Sequence, residues 1–196
     1  MNSEDKSIQQ FQDFLEHHPS YPLSVLEFLK SELKLGKKYV VAEVTKGLGK
    51  MGQLLLKHVH LVCTLHSETP SYQFIKAQYS QFPNFLAMHN TPENTHLDED
   101  AVDCILIDQS LLQFNTLRVA KEFERILRLN SYVVVLYNNL VVQEASFAQA
   151  YLHFFKQFSS NGHAPYTRPI EPVMLDELYN ETYEERVFHN QQRLTW

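Results

Sequence analysis

Short apolar runs alternate with amphipathic stretches along most of the chain. "YVVAEV", "HLVCTL", "NFLAMH", "VDCILID" and "YVVVLYN" are apolar enough to predict strands buried on both faces. The stretch "SYPLSVLEFLKSELKLGKK" predicts a helix, with Pro22 preset for its first turn and Gly36 as a stop. Its apolar face is Val25, Leu26, Phe28, Leu29 and Leu33. "KMGQLLLKHV", "TPSYQFIKAQYSQF", "NTLRVAKEFERILR" and "EASFAQAYLHFFKQFSS" predict further helices. Strands alternating with helices predict a parallel sheet covered on both faces, and ligands of such sheets sit beyond the C-terminal strand ends. The residues to weigh are therefore Glu43 to Gly49, His66 to Glu68, His89 to Glu93 and Asp108 to Ser110. The last part, rich in Pro and Tyr, predicts a short helix near Val173 to Leu178 and a strand near Glu185 to His189.

Composition narrows the function. The 196 residues suit one domain, and 44% hydrophobic with 20% charged residues is a globular balance. The net charge is -6 and no basic cluster occurs, which argues against nucleic acid as a partner. No apolar run is long enough to span a bilayer, and the polar, acidic start is unlike a secretory signal, so no membrane partner is expected. Cys63 and Cys104 each lie inside an apolar run and read as buried free thiols, which points to the cytoplasm. No Cys-x-x-Cys pattern supports redox or zinc chemistry.

One local motif carries chemistry. Gly47-Leu48-Gly49-Lys50-Met51-Gly52 fits the dinucleotide pattern G-x-G-x-x-G, and Glu68 follows at a distance suited to a ribose hydroxyl. That alone allows an NAD-binding oxidoreductase. However, Thr45 and Lys46 separate the apolar run from the first glycine, and Glu43 lies within the strand. The plainer reading is a turn that needs glycine's backbone freedom. His66, His89 and Asp108 each end a strand and could form a two-histidine, one-carboxylate metal site. Their spacing has no ligand signature, and three solvated loop residues are the better reading, so no metal is expected.

Several ungapped segments in order carry a broader resemblance. "HHPSYPLSVLEFL", "FLAMHNTPENTHLDEDAVDCILIDQSLLQFN", "EFERILRLNSYVVVLYNN" and "VFHNQQRLTW" span about His17 to Trp196. Together they resemble class I S-adenosylmethionine-dependent methyltransferases, in particular the small-molecule subgroup related to trans-aconitate and quinone-pathway enzymes. The resemblance implies an α/β, Rossmann-like methyltransferase fold with the last antiparallel strand missing. It implies one domain over 1–196: an entry segment at 1–38, the core at 39–160, and a C-terminal extension with a sixth strand at 161–196.

The same resemblance implies an S-adenosylmethionine site at Tyr21, Glu43, Thr45, Gly47, Gly49, His66, Asn90, Glu93 and Gln109. Glu43 matches the acid that opens the family's glycine loop, D/E-x-G-x-G-x-G, of which Gly47 and Gly49 remain and the first glycine is Thr45. His66 stands where the family has the acid that accepts both ribose hydroxyls. His89-Asn90 replaces Asp-Gly, Glu93 and Gln109 match, Leu112-Gln113 replaces His-Trp, and Leu129-Asn130-Ser131 replaces Pro-Gly-Gly. A neutral imidazole accepts one hydrogen bond where a carboxylate accepts several. The implied function is methyl transfer to a small molecule with weak or absent turnover, with no catalytic base assignable. The alternative is a non-catalytic binding or dimerising protein with no small-molecule substrate. In either case an uncovered sheet edge favours a homodimer.

Overall fold

The computed structural model describes residues 9, 12, 19–45, 50–108, 114–139, 141, 147–158, 175–176 and 183–191. In chain order the elements are α1 (Leu23–Ser31), β1 (Val40–Thr45), α2 (Lys50–Leu55), β2 (Leu61–Leu65), α3 (Thr69–Tyr79) and β3 (Phe85–Met88). They are followed by β4 (Val102–Asp108), α4 (Thr116–Ile126), β5 (Leu127–Leu136) and α5 (Phe147–Phe158). The strands form one sheet in the order β3-β2-β1-β4-β5, with every neighbouring pair parallel. The order in which strands are added to the sheet reverses between β1 and β4, so the switch-point crevice lies at their C-terminal ends.

Alternation along the strands divides the core in two. Val41, Val62, Cys104 and Leu106 point to one face, where they pack with Val25, Leu26 and Leu29 of α1, Met51 and Leu55 of α2, and Ile75 and Tyr79 of α3. Ala42, Val44, Leu65, Ile105 and Ile107 point to the other, under Val119, Phe123 and Ile126 of α4. Those three α4 residues recur at the spacing of a single helical stripe. Asn115 caps α4 by accepting the Arg118 N–H at 3.2 Å.

Four details differ from the sequence reading. Helix α1 ends before Gly36: Lys34 takes the left-handed conformation at φ 56, and the Leu35 N–H closes back on the Leu29 carbonyl at 3.1 Å. β1 runs on through Thr45, which pairs in register with Asp108 and is not among the positive-φ residues. β5 starts at Leu127, directly after α4; between Val102 and Cys104 of β4, β5 runs from Leu127 to Tyr132. The surplus residues form a bulge in which Asn130 has φ 61, a conformation that asparagine tolerates.

The fourth difference is the strand expected near Glu185 to His189, which does not form; residues 183–191 run without ladder pairing. Val187 is 81% exposed, and this segment is held instead by side chains. Phe188 meets Phe28 edge-on at 5.6 Å, and Asn190 Nδ2 donates to the Ser20 carbonyl at 2.8 Å. The charged run Glu184-Glu185-Arg186 stays in solvent, where Arg186 pairs with Glu184 at 2.7 Å. Of the short helix expected near Val173 to Leu178, Leu175 and Asp176 are described and are helical.

Candidate functional site

Glu43, Thr45, Thr64, His66 and Asp108 keep the alternation of the face under α1, α2 and α3, at the C-terminal ends of β1, β2 and β4. Glu43 pairs in register with Thr64, and Thr45 with Asp108. All five side chains are buried. A polar line inside an apolar layer must satisfy its hydrogen bonds locally or from a ligand.

Glu43 is fully buried and Oε1 accepts the Gly52 N–H at 3.1 Å. Burial, with the neighbouring Asp108 charge adding, raises its pKa to about 8, so the carboxyl is protonated at neutral pH. A β-carbon at residue 52 would overlap Glu43 Oε2 and meet Val62 Cγ1 at 3.1 Å. Gly52 therefore lets α2 pack closely over Glu43, and a side chain there would force Glu43 to move.

Tyr21 reaches across the switch point from the segment before α1 and donates its hydroxyl to Asp108 Oδ1. Burial raises the Asp108 pKa to about 6, against the Tyr21 hydrogen bond and the Lys50 charge, which lower it. Lys50, half-buried at the start of α2, is pushed down by desolvation, partly offset by Asp108. The two charges at this crevice thus offset each other in part, with Glu43 neutral beside them.

His66 is 1% exposed. Nε2 lies 3.0 Å from Thr64 Oγ1, and the backbone N–H donates to the Met88 carbonyl at 3.0 Å. Desolvation, and secondarily His89, lowers its pKa to about 4, so the imidazole is neutral. His89 is exposed and stacks on Tyr72 with centroids 5.2 Å apart. Among the described residues no three His, Cys, Asp or Glu side chains converge as a metal site.

Asn90 and Glu93 serve the loop between β3 and β4. Asn90 Nδ2 donates to the Thr95 carbonyl at 2.6 Å, and Glu93 Oε1 accepts the Asn115 N–H at 3.4 Å. The latter turns Glu93 toward the start of α4, on the opposite face from Glu43 and His66. The same loop is clamped by residues the sequence did not single out. Glu122 Oε1 accepts the Thr95 N–H at 2.9 Å and the Thr95 hydroxyl at 2.6 Å. Arg125 binds Glu122 at 2.8 Å and donates to the Leu97 carbonyl at 2.7 Å. The Arg125 hydrogen bond, helped by Thr95, holds the Glu122 pKa down at about 2.

At the far end of the edge, Asn138 follows β5. Its Oδ1 accepts from Asn190 Nδ2 at 3.2 Å, and that nitrogen also donates to the Ser20 carbonyl. Among the described residues, three buried side-chain polar atoms lack a hydrogen-bond partner: Glu43 Oε2, His66 Nδ1 and Asn138 Nδ2. They belong to three different strands: Glu43 lies within β1, His66 follows β2 and Asn138 follows β5. The structure thus brings together Tyr21, Glu43, Thr45 and His66, and sends Asn90 and Glu93 to the loop. Gly47, Gly49 and Gln109 lie outside the described residues. The sequence placed Asp108 at the ligand edge but gave it no cofactor role, and passed over Asn138 altogether; its place just past an apolar strand was the available signal.

No protein-family model matches the chain, and neither does any curated protein sequence. Solved structures do. A candidate S-adenosyl-L-methionine-dependent methyltransferase of Methanococcus maripaludis superposes with a TM-score of 0.63 at 14% identity, over 92% of this chain and 86% of its own. A SAM-dependent methyltransferase of Aquifex aeolicus gives 0.56 at 14% identity, over 83% and 88%. The YcgJ protein of Bacillus subtilis gives 0.54 at 13% identity, over 72% of this chain, which spans 61% of YcgJ's length. At such identities the likeness is one of fold: the chain has the Rossmann-like fold of the two methyltransferases.

Proposed function

We propose that this chain takes S-adenosylmethionine at the C-terminal edge of its sheet with low affinity and is a small-molecule methyltransferase of weak or absent turnover. The fold and its edge support the cofactor class. The observation that carries the low affinity is His66: buried, neutral, and with one unpartnered ring nitrogen at the end of β2. One acceptor there replaces the several a carboxylate would offer to a ribose diol. Such a loss costs on the order of 1.5–3 kcal/mol, about ten- to a hundredfold in affinity.

The chain's own residues fit the group in part. Glu43 supports the start of α2 through Gly52, and Thr45 and His66 flank the same edge. Tyr21 and Asp108 border the crevice from the other side. When bound, the cofactor supplies an activated methyl group, and the protein's task is to orient the acceptor and exclude water. Calorimetric titration with S-adenosylhomocysteine tests the reading. Weak heat that saturates only at high ligand is expected, and a dissociation constant in the low micromolar range overturns it.

One observation favours a second reading, a binding or dimerising protein without turnover: Tyr21 is itself buried across the switch point. A methyl-transfer assay run beside the titration separates the two. We further propose a homodimer through the outer side of β5, which pairs only with β4 among the described residues and exposes Leu129 and Tyr132. Light scattering that shows a monomer at high concentration rules this out.

A further inference from the structure

We propose that Asn138 is the hydrogen-bond donor of a second ligand subsite, at the β4–β5 end of the sheet edge, and that it takes a neutral carbonyl oxygen. Read with the function above, this is where the methyl acceptor is held.

The orientation of the Asn138 amide follows from its neighbours. Asn190 contacts the Ser20 backbone carbonyl, which can only accept, so the contacting atom of Asn190 is its nitrogen. That same nitrogen contacts Asn138, so the contacting atom of Asn138 is its oxygen. The Asn138 nitrogen is thereby turned away from Asn190, and it is buried without a partner. Proteins seldom leave a fixed, desolvated donor unmatched, and an ordered water or a ligand oxygen completes it.

Its position agrees. Asp108 pairs with Leu136, and Asn138 stands two residues further on, so it extends the face that carries Asp108, Thr45 and Glu43. The β2, β1, β4, β5 order puts His66 and Asn138 three strand spacings apart, about 14 Å. One small group cannot meet both unpartnered atoms, so the edge carries two subsites. Asp108 lies on the same face of the neighbouring strand, its charge partly offset by Lys50. It disfavours a second carboxylate and leaves a ketone, ester or amide oxygen as the matching acceptor.

The test is an amide NMR titration of the full chain with three probes: S-adenosylhomocysteine, N,N-dimethylacetamide (a neutral acceptor with no donor) and acetate. Dimethylacetamide is expected to move the Asn138 side-chain amide pair saturably, with acetate at least about threefold weaker. Asn138→Asp, which keeps the shape and removes the donor, is expected to weaken dimethylacetamide about threefold or more at the Tyr137 and Asn138 backbone amides. Asn190→Ala changes an exposed residue that does not endanger the fold, and unlocks the amide with the same result. An unmoved Asn138 pair, variants that titrate like the parent, or acetate binding as well as dimethylacetamide each overturns the proposal. S-adenosylhomocysteine is read separately at Thr45 and His66. Its failure sinks the cofactor reading and leaves the Asn138 subsite standing.

Discussion

The backbone N–H of Gly52 donates to Glu43 Oε1 at 3.1 Å, and Glu43 Oε2 occupies the space a β-carbon on residue 52 would need. Helix α2 can approach β1 only because residue 52 has no side chain. Gly52→Ala is therefore expected to destabilise the fold by about 1–3 kcal/mol through overpacking. Glu43→Ala in the same chain should recover part of that loss, because it removes the obstructing oxygen. Urea denaturation of both single variants and the double variant checks this, and strictly additive costs would contradict it.

The protonation of Glu43 gives stability a pH signature. Its folded pKa of about 8 lies above the ordinary 4.5, so between these values the folded state binds more protons than the unfolded state. Stability from this group falls as pH rises through that window and levels off above it. Asp108, raised from 3.8 to about 6, acts in the same sense at lower pH. His66, lowered from 6.5 to about 4, acts oppositely, since its stability rises with pH across that range. Glu122, lowered from 4.5 to about 2, also gains stability with rising pH, and is complete before neutrality. Between about pH 6.5 and 8 Glu43 dominates, so the free energy of unfolding should fall there, by no more than about 1.4 kcal/mol per pH unit, and Tm with it. Glu43→Gln should flatten the decline, and an unchanged slope in that variant would refute the assignment.

Tyr21→Phe keeps the ring and removes the hydroxyl that Asp108 accepts. A hydrogen bond to a charged group contributes about 1.5–3 kcal/mol, and its loss should appear in chemical denaturation near neutral pH. The loss should shrink under acid, where Asp108 is protonated, and in an Asp108→Asn background. Equal losses in all three conditions would show that Tyr21 matters only through packing.

His66→Glu places a carboxylate at the end of β2 and should raise affinity for S-adenosylhomocysteine by at least about tenfold, near 1.4 kcal/mol. Calorimetry reads the gain, with thermal melting in parallel because an acid there loses the Thr64 contact. An unchanged affinity would mean that the edge takes a different ligand at this end. Thr45→Gly is a poorer rescue than the glycine-loop pattern suggests. Thr45 sits in β1 rather than in the turn, and a glycine within a strand costs roughly 0.5–1 kcal/mol.

The sheet was legible because strands buried on both faces are written as unbroken apolar runs, and α4 as a single stripe of Val119, Phe123 and Ile126. The start of β5 was hidden because Arg128, Asn130 and Ser131 read as a turn, and only the bulge reconciles them with a strand. Glu43 announced itself as an acid inside an apolar run, and the structure adds why it is tolerated: one oxygen is bonded to backbone and the group is protonated. The Glu122 clamp was invisible, since Glu122 and Arg125 look like an ordinary surface pair on α4. Their partners Thr95 and Leu97 belong to a distant loop. The amide of Asn138 depends on residues 20 and 190, a separation no local pattern can encode.

The bulge at Asn130 has a practical consequence for anyone who wishes to label this molecule. It absorbs the surplus residues of β5 before the ladder resumes at Tyr132, so everything from there to Leu136 keeps its alignment with β4. Leu129, 93% exposed at its tip, touches neither core cluster. A peptide epitope or fluorophore-bearing insert at this position would lie at the opposite end of β5 from Asn138, leaving the ligand edge as it is while blocking the proposed dimer contact at Leu129.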